Sequence, residues 1–276
     1  MVQLPKLPPL FHRRLLGASP AVFAFLAVAI APAGADLSIN ATYVDGAGET
    51  WDPTRRGVVE QAITEWLEVL DSVNPADDDQ INITFDFTNA GTGSYLGQWQ
   101  GSSPELVAGD NRLPWENTTH IIHFNADQMD AGLTNYSWWD ASPLDGSDQL
   151  FEQWDMLSVA RHELGHALGF TTFYAYDLGN PGELYPWEDL VTGTTFDPGG
   201  INVELASSTN FGHVANSGIS LDDLMTTGLP NGTRRGISQL DVDMLRLAYG
   251  YSQTVPEPSA LLLSGLASLA LLRRRR

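Results

Sequence analysis

The chain has 276 residues, 34 acidic against 14 basic side chains and a formal net charge of −20. Such acidity opposes binding to nucleic acid or to an anionic membrane surface, so no nucleic-acid partner is expected. With no cysteine in the chain, disulfides, thiolate metal sites and a cysteine nucleophile are all excluded; any metal must be held by histidine and carboxylate.

In chain order, residues 1–35 read as a secretory signal. Lys6, Arg13 and Arg14 form a basic leader, Leu15 to Ala31 is mostly apolar, and Ala33-Gly34-Ala35 has the small-x-small form of a cleavage site before Asp36. Residues 36–254 are long enough for one domain with its own core, expected to be monomeric. That stretch holds seven arginines, no lysine and 33 acidic residues, a net charge of −26. The spacing of Val59, Ala62, Ile63, Trp66, Leu67 and Leu70 predicts an amphipathic helix over Arg56 to Val73, ended by Asn74-Pro75 and the acidic run Asp77 to Asp79. Strict alternation predicts a strand over Ile81 to Phe87. A loop rich in Gly, Ser and Asn follows, then strands at Thr118 to Phe124 and Gly132 to Trp139.

Residues 162–166 read His-Glu-Leu-Gly-His. Asp155, Met156, Leu157, Val159, Ala160, Leu164, Ala167 and Leu168 place this run on a helix, with Gly169 as its C-terminal cap. A helix brings residues four apart onto one face, so both imidazoles can bind one zinc, with Glu163 beside the open coordination position as general base. Residues 171–212 are rich in Gly, Pro, Asp and aromatics, with one short strand at Ile201 to Leu205, and read as an insertion that walls or covers a cleft. A final helix is expected over Ser238 to Tyr249, with Val242, Leu245 and Ala248 or Tyr249 facing inward. Early strands flanked by long helices indicate an α+β domain.

A catalytic zinc takes three protein ligands and leaves the fourth position to water. The mature chain offers five histidines, His120, His123, His162, His166 and His213. His120 and His123 are three apart in a strand, point to opposite faces and cannot chelate together. The third ligand is then His213 or a carboxylate such as Glu183, Glu188 or Glu204. Asp77 to Asp79 and the group Asp140, Asp145 and Asp148 are candidates for Ca2+, but neither has the spacing of an EF-hand loop and a solvated loop is the better reading of both.

The run His162-Glu163-x-x-His166-x-x-Gly169, with Met225 in Leu221-Asp222-Asp223-Leu224-Met225 and the closing Ile237-Ser238-Gln239-Leu240-Asp241, resembles the metzincin clan of zinc peptidases. The resemblance implies a zincin domain: a mixed twisted sheet, an N-terminal helix and an active-site helix, and a small C-terminal subdomain with a methionine turn and a final helix. The position that would carry the third histidine of a compact metzincin is Thr172. Branches similar to leishmanolysin delay that histidine by an insertion, and Phe211-Gly212-His213-Val214 ahead of Leu224-Met225 resembles that arrangement. On this resemblance the metal ligands are His162, His166 and His213, the last displaced by the 43 residues from Phe170 to Gly212. Gly169 and Met225 are then structural supports.

The implied chemistry is peptide hydrolysis by a zinc-activated water, with Glu163 passing the proton to the leaving amine. An extended substrate would pair with an edge strand, taken as Gly132 to Trp139. Tyr174 or Tyr176 are candidates to stabilise the oxyanion, since the position two after the methionine is Thr227. The acidic surface would steer cationic or neutral polypeptides to a pocket walled by Leu229 to Arg235. Other readings are a zincin with a glutamate third ligand, and a matrix or adhesion protein that keeps a zinc-stabilised fold without turnover.

Val255-Pro256-Glu257-Pro258, the 14 residues Ser259 to Leu272 and Arg273 to Arg276 close the chain. The apolar run is short for a full span, and the arginines would hold it on the cytoplasmic side. This tail resembles the PEP-CTERM sorting signal of Gram-negative bacteria. It implies processing by an exosortase, transient membrane contact and release to the cell surface or extracellular matrix.

Overall fold

The computed structural model describes residues 37–71, 79–91, 95–101, 119–129, 135–170, 191–206, 212–215 and 223–252. The signal segment, the sorting tail, Asp77, Asp78, Thr172, Tyr174, Tyr176, Glu183 and Glu188 lie outside the described residues.

The fold is α+β. Its main sheet is β1 (Ser38–Tyr43), β2 (Gln80–Thr88), β4 (His120–Asn125) and β3 (Gly97–Gly101), in the order β1-β2-β4-β3. The first three strands run parallel and β3 is antiparallel to β4. On β2, Ile81, Ile83, Phe85 and Phe87 are buried and alternate with more exposed polar residues, so one face carries the core. Two helices supply much of that core: α1 (Pro53–Val69) buries Val58, Val59, Ala62, Ile63 and Trp66, and packs on α2 (Met156–Ala167). Trp66 is fully buried and its indole N–H donates to the Arg161 carbonyl at 2.9 Å, fixing the two helices together.

Several boundaries move for identifiable reasons. The first helix begins at Pro53, because Asp52 caps it by accepting the Arg55 N–H and proline suits the first turn. It ends at Val69 rather than Val73, because Leu70 turns extended and Asp71 bridges to Ser252. β1 and β3 lie where no strand was expected, β3 within the Gly/Ser/Asn-rich stretch. In the segment Gly132 to Trp139 the described part is a strand as expected, β5 (Tyr136–Trp138), paired in parallel with β6 (Gln153–Asp155) in a separate two-stranded sheet. The edge of the main sheet beside α2 is therefore β3.

The insertion contributes β7 (Val191–Thr192), β8 (Thr195–Phe196) and β9 (Val203–Glu204), a small antiparallel sheet that includes the middle of the expected Ile201 to Leu205 strand. The last helix, α3 (Gln239–Tyr249), has a full capping box from Ser238 and Asp241 and stops at Gly250 with φ +80°. It buries Val242, Leu245 and Ala248 as the spacing indicates, along with Met244 and Asp241.

Candidate metal centre

The histidine-bearing helix α2 is buried almost all round: every residue from Met156 to Gly165 is inside, as is Ala167. A helix so enclosed cannot rely on a single amphipathic stripe, and its polar groups need partners. Asp155 caps the N-terminus by accepting the Ser158 N–H at 3.0 Å, and its carboxylate pairs with Arg234 at 2.8 Å, both side chains being almost wholly buried. Arg234 also donates to the carbonyls of Pro143 and Asp140. Farther along, Arg161 grips both oxygens of Glu65 and the carbonyl of Arg235. These buried guanidinium groups tie α2 to α1 and to the segment before α3.

At the C-terminus Gly169 takes φ +128°, a conformation that disfavours a side chain. Phe170 N–H reaches the Gly165 carbonyl at 3.0 Å and Gly169 N–H reaches that of His166 at 3.1 Å, the two bonds of a Schellman turn. The turn matters for the site, because it delivers the Phe170 carbonyl to His166 Nδ1. Tyr249 and Tyr251 donate to the carbonyls of Gly169 and Leu168 at 2.8 and 3.0 Å and hold the turn from α3.

The third histidine arrives from a distance. Val214 N–H donates to the Met225 carbonyl and Ala206 N–H to the His213 carbonyl, each at 2.8 Å, so His213 is threaded between the end of β9 and the Met225 turn. That turn is braced by Asp223, whose Oδ1 accepts the Met225 N–H. Met225 is fully buried against α2; a Cβ placed on Gly165 would lie 2.6 Å from its Sδ. The unnamed fourth residue of the His-Glu-x-x-His run is therefore glycine for contact, not for flexibility.

His162, His166 and His213 meet at their Nε2 atoms, all three separations being 3.2 Å. His162 Nδ1 faces the Leu224 carbonyl at 2.8 Å and His166 Nδ1 faces that of Phe170. A carbonyl only accepts, so both Nδ1 atoms carry the hydrogen and both Nε2 atoms present lone pairs. Lone pairs converging at 3.2 Å repel unless a cation lies among them. Burial holds His162 down at about 4 and His213 at about 3, and keeps His166 well below the usual histidine range, so protons do not supply that cation at neutral pH. A point about 2.0–2.1 Å from all three nitrogens sits about 0.9 Å off their plane and makes angles near 100° between them, as tetrahedral ligation with one open position requires. The donor set fits zinc. These three residues are also the one group among the described residues placed to hold a metal ion.

Glu163 is buried beside this cluster, and one carboxylate oxygen accepts the Trp99 N–H at 2.7 Å. Desolvation pushes its pKa up to about 8, against the lowering effect of that hydrogen bond. β3 comes this close because residue 97 is glycine: a Cβ there would lie 2.6 Å from Val159 Cγ1 and 2.8 Å from Glu163 Cγ. No sequence signal marked β3 as the neighbour of Glu163.

Other expected residues fall elsewhere. Glu204 is exposed on β9 and does not join the histidines, which corrects its candidacy as third ligand. His120 is buried and accepts the Trp99 indole N–H at 3.0 Å, whereas His123 lies on the opposite face against Asp86 at 2.5 Å, so the two do not chelate together. Asp140 and Asp145 cap turns by accepting the N–H groups of Ser142 and Ser147, Asp148 is exposed, and these three form no metal-holding group. Asp79 is buried near β1 and joins no metal-holding group among the described residues. Thr227 is exposed, and in the segment Leu229 to Arg235 the Arg235 side chain turns inward to the Asp223 carbonyl.

No curated protein matches the chain. Residues 254–276 match the PEP-CTERM protein-sorting motif. The chain thus carries the exosortase-recognised tail of an exported protein, one destined for the surface or the exterior of a Gram-negative cell.

Proposed function

We propose that the protein is a secreted zinc endopeptidase of the metzincin type. The observation that carries this reading is the convergence of three imidazole Nε2 atoms within 3.2 Å of one another, with the buried carboxylate of Glu163 on the same helix. A purely structural zinc has closed coordination and no use for a base at its side. Gly169 and Met225, which the metzincin resemblance singles out, support the Schellman turn and the floor of the helix.

Zinc held by His162, His166 and His213 would supply a Lewis acid and a water of lowered pKa. The chain's own residues do the rest. The carbonyls of Leu224 and Phe170 fix the tautomers of His162 and His166, so that Nε2 of each is free to ligate. Glu163 takes a proton from the attacking water and returns it to the leaving nitrogen. An extended substrate would pair with the edge of β3 that no described strand covers, rather than with β5.

The test is proteolysis of casein by the zinc-loaded protein, with Glu163→Gln as control. Cleavage by the wild type and a loss of 10²-fold or more in the variant, with zinc retained, is expected. Zinc retained with no cleavage by either protein would instead leave a non-catalytic cell-surface protein.

A further inference from the structure

One aromatic side chain stands beside the cluster without a part in it. Trp99 lies at the middle of β3, in Gly97-Gln98-Trp99-Gln100-Gly101. It pairs with Ile122 on β4, and Gly97 with Phe124, so these positions share the face that carries the core. The Asn125 N–H donates to the Leu96 carbonyl, which makes 96 and 125 a hydrogen-bonded pair. Alternation along the ladder then leaves the backbone groups of Gly97, Trp99 and Gly101 facing away from β4, on an edge that no described strand covers, with the Trp99 N–H donating to Glu163.

The indole is locked in place. Its N–H donates to Nδ1 of buried His120 at 3.0 Å, and it lies across Gly101, where an added Cβ would be 2.2 Å from the ring. In that pose its ring centre is 6.5 Å from the His166 imidazole, with 30° between the planes. Trp51 and Trp66 are anchored by their N–H groups too, but both are buried in the core. Trp99 keeps part of its surface in solvent, next to a candidate metal ligand.

We infer that Trp99 is a specificity-determining residue: a peptide laid along the edge of β3 that no described strand covers presents an aromatic side chain to the Trp99 indole beside His166. The inference rests on the peptidase reading. It follows from an aromatic face that is rigid, partly solvated and adjacent both to the β3 edge that no described strand covers and to the histidine cluster. Offset or edge-on packing of a substrate ring on that face gains affinity beyond the area it covers.

The experiment compares peptides identical except for Phe or Ala, placed in turn at each position flanking the scissile bond. For the zinc-loaded wild type, kcat/KM should favour Phe about tenfold at one position. In Trp99→Ala that ratio should fall to about one, and in Trp99→Phe most of it should return; zinc content reports folding of each variant. If Trp99→Ala does not hold zinc, Trp99→Leu takes its place. A ratio that survives loss of the ring overturns the inference and leaves the peptidase reading intact. If the wild type cleaves nothing, the peptidase reading fails. Binding of the same peptides to zinc-loaded Glu163→Gln then decides the inference: Trp99-dependent preference for Phe supports it and equal affinity overturns it.

Discussion

Gly165→Ala tests how the Met225 turn is fitted under the histidine-bearing helix. In an exposed helix interior, alanine stabilises by about 1 kcal/mol over glycine. Here the new Cβ would lie 2.6 Å from Met225 Sδ, 3.1 Å from its Cε and 3.3 Å from Trp66 Cζ2. Met225 is fully buried and its backbone is held by Asp223 and Val214, so the side chain has little room to retreat. Overpacking of this kind costs about 1–3 kcal/mol. The net expectation is a loss of up to about 2 kcal/mol in the wild-type background. In a Met225→Ala background, which itself costs about 2–5 kcal/mol, the two closest contacts are gone and only Trp66 Cζ2 at 3.3 Å remains, so Gly165→Ala should cost little or stabilise by up to about 1 kcal/mol. Urea unfolding of the four proteins in this cycle measures the difference between backgrounds as a coupling energy. Stabilisation by Gly165→Ala in both backgrounds would show that Met225 does not press on the helix.

Arg234→Met should destabilise by about 3–5 kcal/mol, because it strands the buried Asp155 carboxylate at the N-terminus of α2. Adding Asp155→Asn should recover a large part of that loss, read by the same unfolding curves. Asp241 gives a pH dependence. Burial and the neighbouring Asp223 carboxylate raise its pKa well above the usual range, and its Oδ1 is buried with no donor facing it, so the folded protein keeps it protonated. A raised folded pKa means that this contribution to stability is full below the ordinary carboxylate pKa of about 3.9 and is lost as pH rises toward the folded value. Asp241→Asn, which mimics the protonated acid, should therefore gain stability relative to wild type as pH is raised from 4 toward neutrality. Thermal unfolding across that range checks it; equal slopes for both proteins would contradict it.

What could be read from sequence was local. His162 and His166, the helix that carries them and the capping role of Gly169 follow from spacing within a dozen residues. Alternation marked β2, and the Ser238 capping box belongs to a helix whose inward residues were legible. The partners of those residues were not. β3 was hidden because two glycines in five residues weaken any strand signal, yet those glycines are what let the strand approach Glu163 and let the indole lie flat. Arg234 and Asp155 are 79 residues apart, and nothing local to either reveals the other. His213 was reached through a resemblance rather than through periodicity, since its position depends on backbone pairing with Met225 and Ala206. The β5 segment carries a legible strand pattern, but its pairing with β6 in a sheet apart from the main one was not legible.

The most direct measurement is X-ray absorption at the zinc edge of the zinc-loaded protein, beside its His213→Ala variant. One zinc per chain with three imidazole nitrogens at about 2.0–2.1 Å and one oxygen is expected, falling to two imidazoles in the variant. A wild-type spectrum with only two imidazoles, or one unchanged by His213→Ala, would contradict the three-histidine centre.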